Sequence, residues 1–144
     1  MISVERDFID VVSGGKITAG SNIIEEVEFV TRGINVAAVN SFCKKLQWES
    51  PSVAWAIGTT IRTLERHKKE NKRLSASISE NALELARLST IGTNYFGNVD
   101  RWNAWLNMAH VQFNNLPPKS FINTIRGREL IKRVILSLEH GFTA

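Results

Sequence analysis

Between Gly33 and Arg73, apolar residues recur at steps of three and four, and the run is broken twice, at Ser50-Pro51 and at Gly58. Such steps line up side chains on one face of a helix, and such breaks end one helix and begin another. Ile34, Ala37, Ala38, Phe42 and Leu46 predict a helix over about 34–46, with Gly33 as the break before it. Ser50-Pro51 predicts a second start, because the serine oxygen caps free amides and proline at the first helical position has no amide to lose. That helix reaches Gly58 after two turns, and Thr59-Thr60 then caps a third helix carrying Ile61, Leu64 and a basic run. Short helix, glycine turn, basic helix is the order of a helix-turn-helix.

Ala54 lies four residues before Gly58, where two helices cross and a small side chain is needed; Val53, Ile57 and Leu64 then face a shared core. This leaves Thr60, Arg62, Thr63, Arg66 and Lys69 on the outer side of the third helix. With Lys68 and Lys72 of the same run, they are candidates for major-groove or phosphate contacts. Residues 62–73 hold six basic and two acidic groups, a surplus equal to the net charge of +4 that the whole chain carries. A Lys or Arg that neutralises a phosphate releases a condensed counterion, so a local cluster of this kind suits a phosphate surface. A solvated helix face interleaved with Glu65 and Glu70, in an ordinary helical hairpin, fits the same residues.

The first 32 residues are acidic, with three basic and six acidic groups. Val4, Phe8, Val11 and Val12 form one helical stripe, and Ile23, Ile24, Val27 and Val30 another. Gly14-Gly15 between them reads as a turn, since no phosphate-loop pattern surrounds it. In the second half, Ser75–Ser79 reads as a capped joint, after which Ala82, Leu83, Leu85, Ala86 and Leu88 restart a helix. Asp100 is the expected cap of a helix holding Trp102, Trp105, Leu106 and, at its end, Met108-Ala109. Asn114–Pro118 must be a loop, because paired prolines cannot continue a helix. Ser120 is the expected cap of a short helix, and Gly127 either breaks it or admits a neighbouring backbone. Leu130, Ile131, Val134, Ile135 and Leu138 stripe the last helix. Trp102 reads as core, while Trp105 fits core and interface alike. Arg126, Arg128, Lys132 and Arg133 form a second basic group, either solvated or paired with acidic residues of a partner.

Catalysis finds little support. His67, His110 and His140 are far apart, and Cys43, the one cysteine, falls on the expected buried face of its helix. No residue spacing fits a metal site, and no cofactor motif is present. The first seven residues lack the pattern of a secretory signal, and no apolar run is long enough to span a membrane. These features point to a cytoplasmic protein without membrane contact.

Several elements taken together resemble the Xre/ParS/MbcA-type antitoxins: Tyr95-Phe96-Gly97, Trp105-Leu106, the Pro118 loop, Gly127 before the last helix, and the ending Glu139-His140-Gly141-Phe142-Thr143-Ala144. The resemblance extends upstream through Gly14-Gly15-Lys16, Arg32-Gly33-Ile34 and the segment 50–66, and so covers nearly the whole chain. It departs at one loop, where the family has a Gly-Gly segment before its proline and a Leu-Asp/Glu-Leu-Leu run after it. This chain has Asn114-Asn115-Leu116-Pro117-Pro118-Lys119-Ser120-Phe121-Ile122. The resemblance implies that the chain binds a RES-domain toxin, blocks its NAD-consuming active site and represses the shared operon by binding operator DNA.

The expected architecture is all-α: an N-terminal helical segment at 1–32 suited to dimerisation, an Xre/Cro-like helix-turn-helix module at 33–76, and a toxin-binding module at 80–144. Under the resemblance, Trp105, Arg126, Arg128 and Glu139 to Ala144 are the candidate toxin-binding residues. Phe142 offers an apolar anchor there, the alternative being a staple on the last helix. A homodimer is expected, because a two-fold protein reads a palindromic operator with twice the contacts. The rival readings are a stand-alone helix-turn-helix regulator whose second half only dimerises, and an interaction protein with a degenerate helix-turn-helix.

Overall fold

Short polar side chains set where most of the helices begin. The computed structural model describes residues 7–18 and 20–141, and among these it is all-helical. Val4 of the first stripe and Phe142, Thr143 and Ala144 lie outside the described residues. The helices are α1 (Phe8–Val12), α2 (Ile23–Arg32), α3 (Val36–Leu46), α4 (Ser50–Ile57), α5 (Ile61–Glu70), α6 (Ala76–Phe96), α7 (Val99–Leu106) and α8 (Ile125–Glu139). Asp7, Asn22, Asn35, Thr60, Asn98 and Thr124 each cap the following helix by accepting an amide three residues on. A side-chain cap of this type contributes about 1 kcal/mol. The chain divides into two units, one ending at Arg87 and the other starting at Leu88, with the division inside α6.

Three expected caps shift. Glu49, whose side chain makes no capping bond, precedes α4, which places Ser50 and Pro51 inside its first turn. Asn98 rather than Asp100 caps α7, leaving Asp100 in the first turn, where an acid suits the positive end of the helix. The short helix expected at Ser120 is a 3-10 turn, Pro118–Phe121, in which Ser120 lies inside rather than at the cap and donates its hydroxyl to Pro117 O at 2.6 Å, and Thr124 caps α8.

In the first unit, Phe8 of α1 meets Phe42 of α3 edge to face, with ring centroids 6.0 Å apart. Gly14 and Gly15 make the expected turn with φ of 63° and 84°, and buried Ser13 accepts the amide of buried Ile17 at 2.9 Å. Val53, Ala54, Ile57 and Leu64 are all buried, as their spacing predicts, and Gly58 ends α4 at φ 87°. Burying a leucine such as Leu64 contributes roughly 1.5–3 kcal/mol. The start of α3 is tied to the chain after α5: Leu74 N donates to Ile34 O at 2.9 Å, and Ile34 N donates to buried Ser79 Oγ at 2.9 Å. A Cβ at Gly33 would lie 2.2 Å from Leu74 O, so only glycine permits this close approach. The α2 stripe departs from a core role, because Ile23, Ile24 and Val27 face solvent and only Phe29 of this helix is buried. Glu26 of α2 pairs with Arg87.

In the second unit, Trp102 is fully buried on Gly92, where a Cβ would come within 2.3 Å of the indole ring. Gly127 lies inside α8 and admits a neighbouring backbone: a Cβ there would sit 1.6 Å from Phe121 O. Helix α7 ends at Leu106, so Met108 and Ala109 fall in the following loop.

Candidate functional site

The first candidate surface is α5. Thr60 Oγ1 accepts Thr63 N at 3.2 Å and also bonds Thr63 Oγ1 at 3.1 Å, so the two threonines that open the helix hold its first turn. Leu64 pins one side of the helix in the core, while Arg62, Arg66, Lys68 and Lys69 are exposed. Half-buried His67 donates from Nδ1 to Thr63 O at 3.0 Å, which occupies that nitrogen within the helix. Asn71 closes the helix in the left-handed region at φ 53°. Lys72 therefore lies past the helix end, with Nζ 3.2 Å from Glu70 Oε2. Arg73 donates to Gly33 O at 3.1 Å and serves the fold.

Cys43 stands apart from this surface. It is buried on α3, and burial pushes its thiol above the usual range, against smaller lowering by hydrogen bonds with Ser50 and its own backbone. A reactive thiolate needs the opposite setting.

The second candidate surface belongs to the second unit, where aromatic rings form a continuous stack. Phe96 lies 6.1 Å from Trp102, Trp102 lies 5.9 Å from Trp105 at an interplanar angle of 15°, and Trp105 lies 5.2 Å from His110. Phe113 meets Trp105 edge to face at 5.8 Å. Trp105 is half-buried, so one residue serves both the core and the surface. The His110 ring donates from Nε2 to Trp105 O at 3.0 Å, fixing its plane on the indole.

Arg126 is exposed in the first turn of α8. Arg128, two residues on, is only 2% exposed and donates from Nη1 to Ile122 O at 3.1 Å. Its place as a partner-facing residue is corrected: the guanidinium turns inward and closes the turn before α8. Glu139 is the exposed last residue of α8, His140 its exposed C-cap, and Gly141 follows at φ 75°. The structure thus brings Trp105 and His110 together, a pairing that the sequence did not reveal. A histidine five residues after a tryptophan carries no helical signal once the helix has ended.

Among the described residues no helix is long and apolar enough to cross a membrane. No curated protein matches the chain. Residues 92–141 match the family model described as the antitoxin Xre/MbcA/ParS C-terminal toxin-binding domain, a stretch of 50 of the chain's 144 residues. The matched stretch lies wholly within the second unit and takes in the aromatic stack, the loop after α7 and all of α8. It is through this unit that the chain is similar to the C-terminal toxin-binding domain of the Xre/MbcA/ParS antitoxins.

Proposed function

We propose that the chain is the antitoxin of a toxin–antitoxin pair, that it binds a RES-domain, NAD-consuming toxin through residues 80–144 and blocks the toxin's active site, and that it represses its own operon through the helix-turn-helix at 33–76. The match of residues 92–141 to an antitoxin toxin-binding domain carries this reading. The RES identity of the partner rests on the resemblance across the whole chain. Trp105, Arg126, Glu139, His140 and the segment Gly141 to Ala144 are the toxin-facing residues on this reading, and Arg128 supports them from within. The role is that of a binding protein rather than an enzyme.

The operator-binding part is supported by the exposure of Arg62, Arg66, Lys68 and Lys69 on a helix whose opposite side is held by Leu64. Lys72 adds charge just past the helix end. Exposed Ile23, Ile24 and Val27 on α2 support residues 1–32 as the contact of a homodimer, since large aliphatic side chains on one helix face favour burial against a second copy.

Co-expression with the product of the neighbouring reading frame tests the proposal, comparing the full chain with a version ending at Glu139. The full chain is expected to co-purify with that product, rescue growth and suppress its NAD consumption, while the shortened chain loses rescue. A harmless neighbour that forms no complex overturns the antitoxin reading. A shortened chain that still rescues removes the tail from the inhibitory surface.

A further inference from the structure

The loop after α7 turns large apolar side chains outward. Met108, Val111 and Leu116 are 60%, 74% and 49% exposed, all within one short segment. Exposed apolar side chains on a slack loop carry little meaning, but this loop is closed by its own backbone. His110 N donates to Leu116 O at 3.3 Å, Asn115 N to His110 O at 2.9 Å, and Leu116 N to Phe113 O at 3.0 Å. Phe113 is buried beneath it against Trp105, and the His110 ring is fixed to Trp105 O. Asn114 and Asn115 take the left-handed turn at φ 56° and 60°, a region that asparagine enters more readily than most residues. The three side chains are therefore held out on a preformed support, and much of the ordering entropy that a partner would otherwise have to overcome is already lost on folding.

We infer that this loop is a docking element that seats Met108, Val111 and Leu116 in an apolar, acid-rimmed surface of the toxin. The inference rests on the toxin-binding reading of the second unit and names the surface that reading lacks. Two observations select the occupant. The loop lies near the middle of the stretch that matches a toxin-binding domain. Between 107 and 133 the exposed charges are basic at Arg126, Lys132 and Arg133 and acidic only at Glu129, so a complementary surface is apolar at its centre and acidic around it.

The test measures affinity between the full chain and the purified product of the neighbouring reading frame. A triple variant, Met108→Ser, Val111→Ser and Leu116→Ser, is expected to bind at least about 10-fold more weakly, as expected when apolar anchors are removed. A control variant, Trp55→Ser, changes an exposed apolar residue of the first unit and is expected to leave that affinity unchanged. Because the substituted side chains are exposed, thermal melting should match the parent. If the triple variant melts early, the single pair Val111→Glu and Val111→Lys decides instead, with Glu weakening binding more than Lys against an acidic rim. Equal binding by parent and loop variants overturns the inference while the toxin-binding reading stands. Failure of the parent chain to bind overturns both.

Discussion

The two candidate surfaces are built in opposite ways. On α5 the charged side chains project from a helix that is held by residues on its other side, and Leu64 anchors it without touching the chemistry. In the second unit the half-buried Trp105 is one ring of the stack that also contains fully buried Trp102. Arg128, two residues from exposed Arg126, is buried and donates to Ile122 O, closing a turn. Charge can therefore be removed from the first surface with the fold intact, whereas the second surface and its core share atoms. Under the proposed roles, binding and stability are separable in one unit and coupled in the other.

The largest expected effect tests that coupling. Trp102→Ala removes the ring on which Gly92 and Trp105 rest, and truncating a buried aromatic costs about 3–5 kcal/mol. Urea denaturation is expected to show the second unit destabilised by that order, and toxin co-purification is expected to fall with it. Full stability with lost binding would break the comparison, because the stack would then be interface alone.

A smaller effect is expected from the converse change in the first unit. Replacing Arg62, Arg66 and Lys69 with alanine together should leave the melting temperature unmoved and weaken binding to DNA carrying the chain's own promoter. The slope of log affinity against log salt should fall by up to about 2.7, since each lost phosphate contact removes roughly 0.9. An unchanged slope would place DNA binding elsewhere or nowhere in this chain, and the charge on α5 would be a solvated face after all.

How far each surface is legible in the sequence follows the same division. The α4–α5 pair is written in local signals: Gly58 at a positive φ, Thr60 as the cap, and Val53, Ile57 and Leu64 at helical steps all appear where their spacing places them. The second unit depends on contacts across short, irregular segments. The spacing of Arg126 and Arg128 gives no sign that one is exposed and the other buried, because the acceptor, Ile122 O, lies in a turn that no periodicity describes. The loop at 107–117 is hidden for the same reason, since its closure depends on backbone bonds between His110, Phe113, Asn115 and Leu116. The cap shift from Asp100 to Asn98 is a milder case, in which neighbouring short polar residues compete and packing chooses among them. The α2 stripe shows a different limit: periodicity marks an apolar face but does not say whether the chain itself covers it.

The smallest expected effect lies outside both surfaces and asks whether the interior of the first unit is as closed as its separability requires. Burial raises the Cys43 thiol above its unfolded value, so the folded chain holds that proton more tightly than the unfolded chain does. The associated stability is complete below the unfolded thiol pKa, about 8.5. It declines as pH rises from there through the higher folded value, because only the unfolded chain gains by ionising in that window. Alkylation of the native protein at about pH 8 should therefore be much slower than in denaturant, and Cys43→Ala should flatten the alkaline decline in stability. Equal alkylation rates in the folded and unfolded chain would mean that α3 and α4 part readily around Cys43. The support beneath α5 would then be loose, and charge changes on that helix could no longer be read as changes in binding alone.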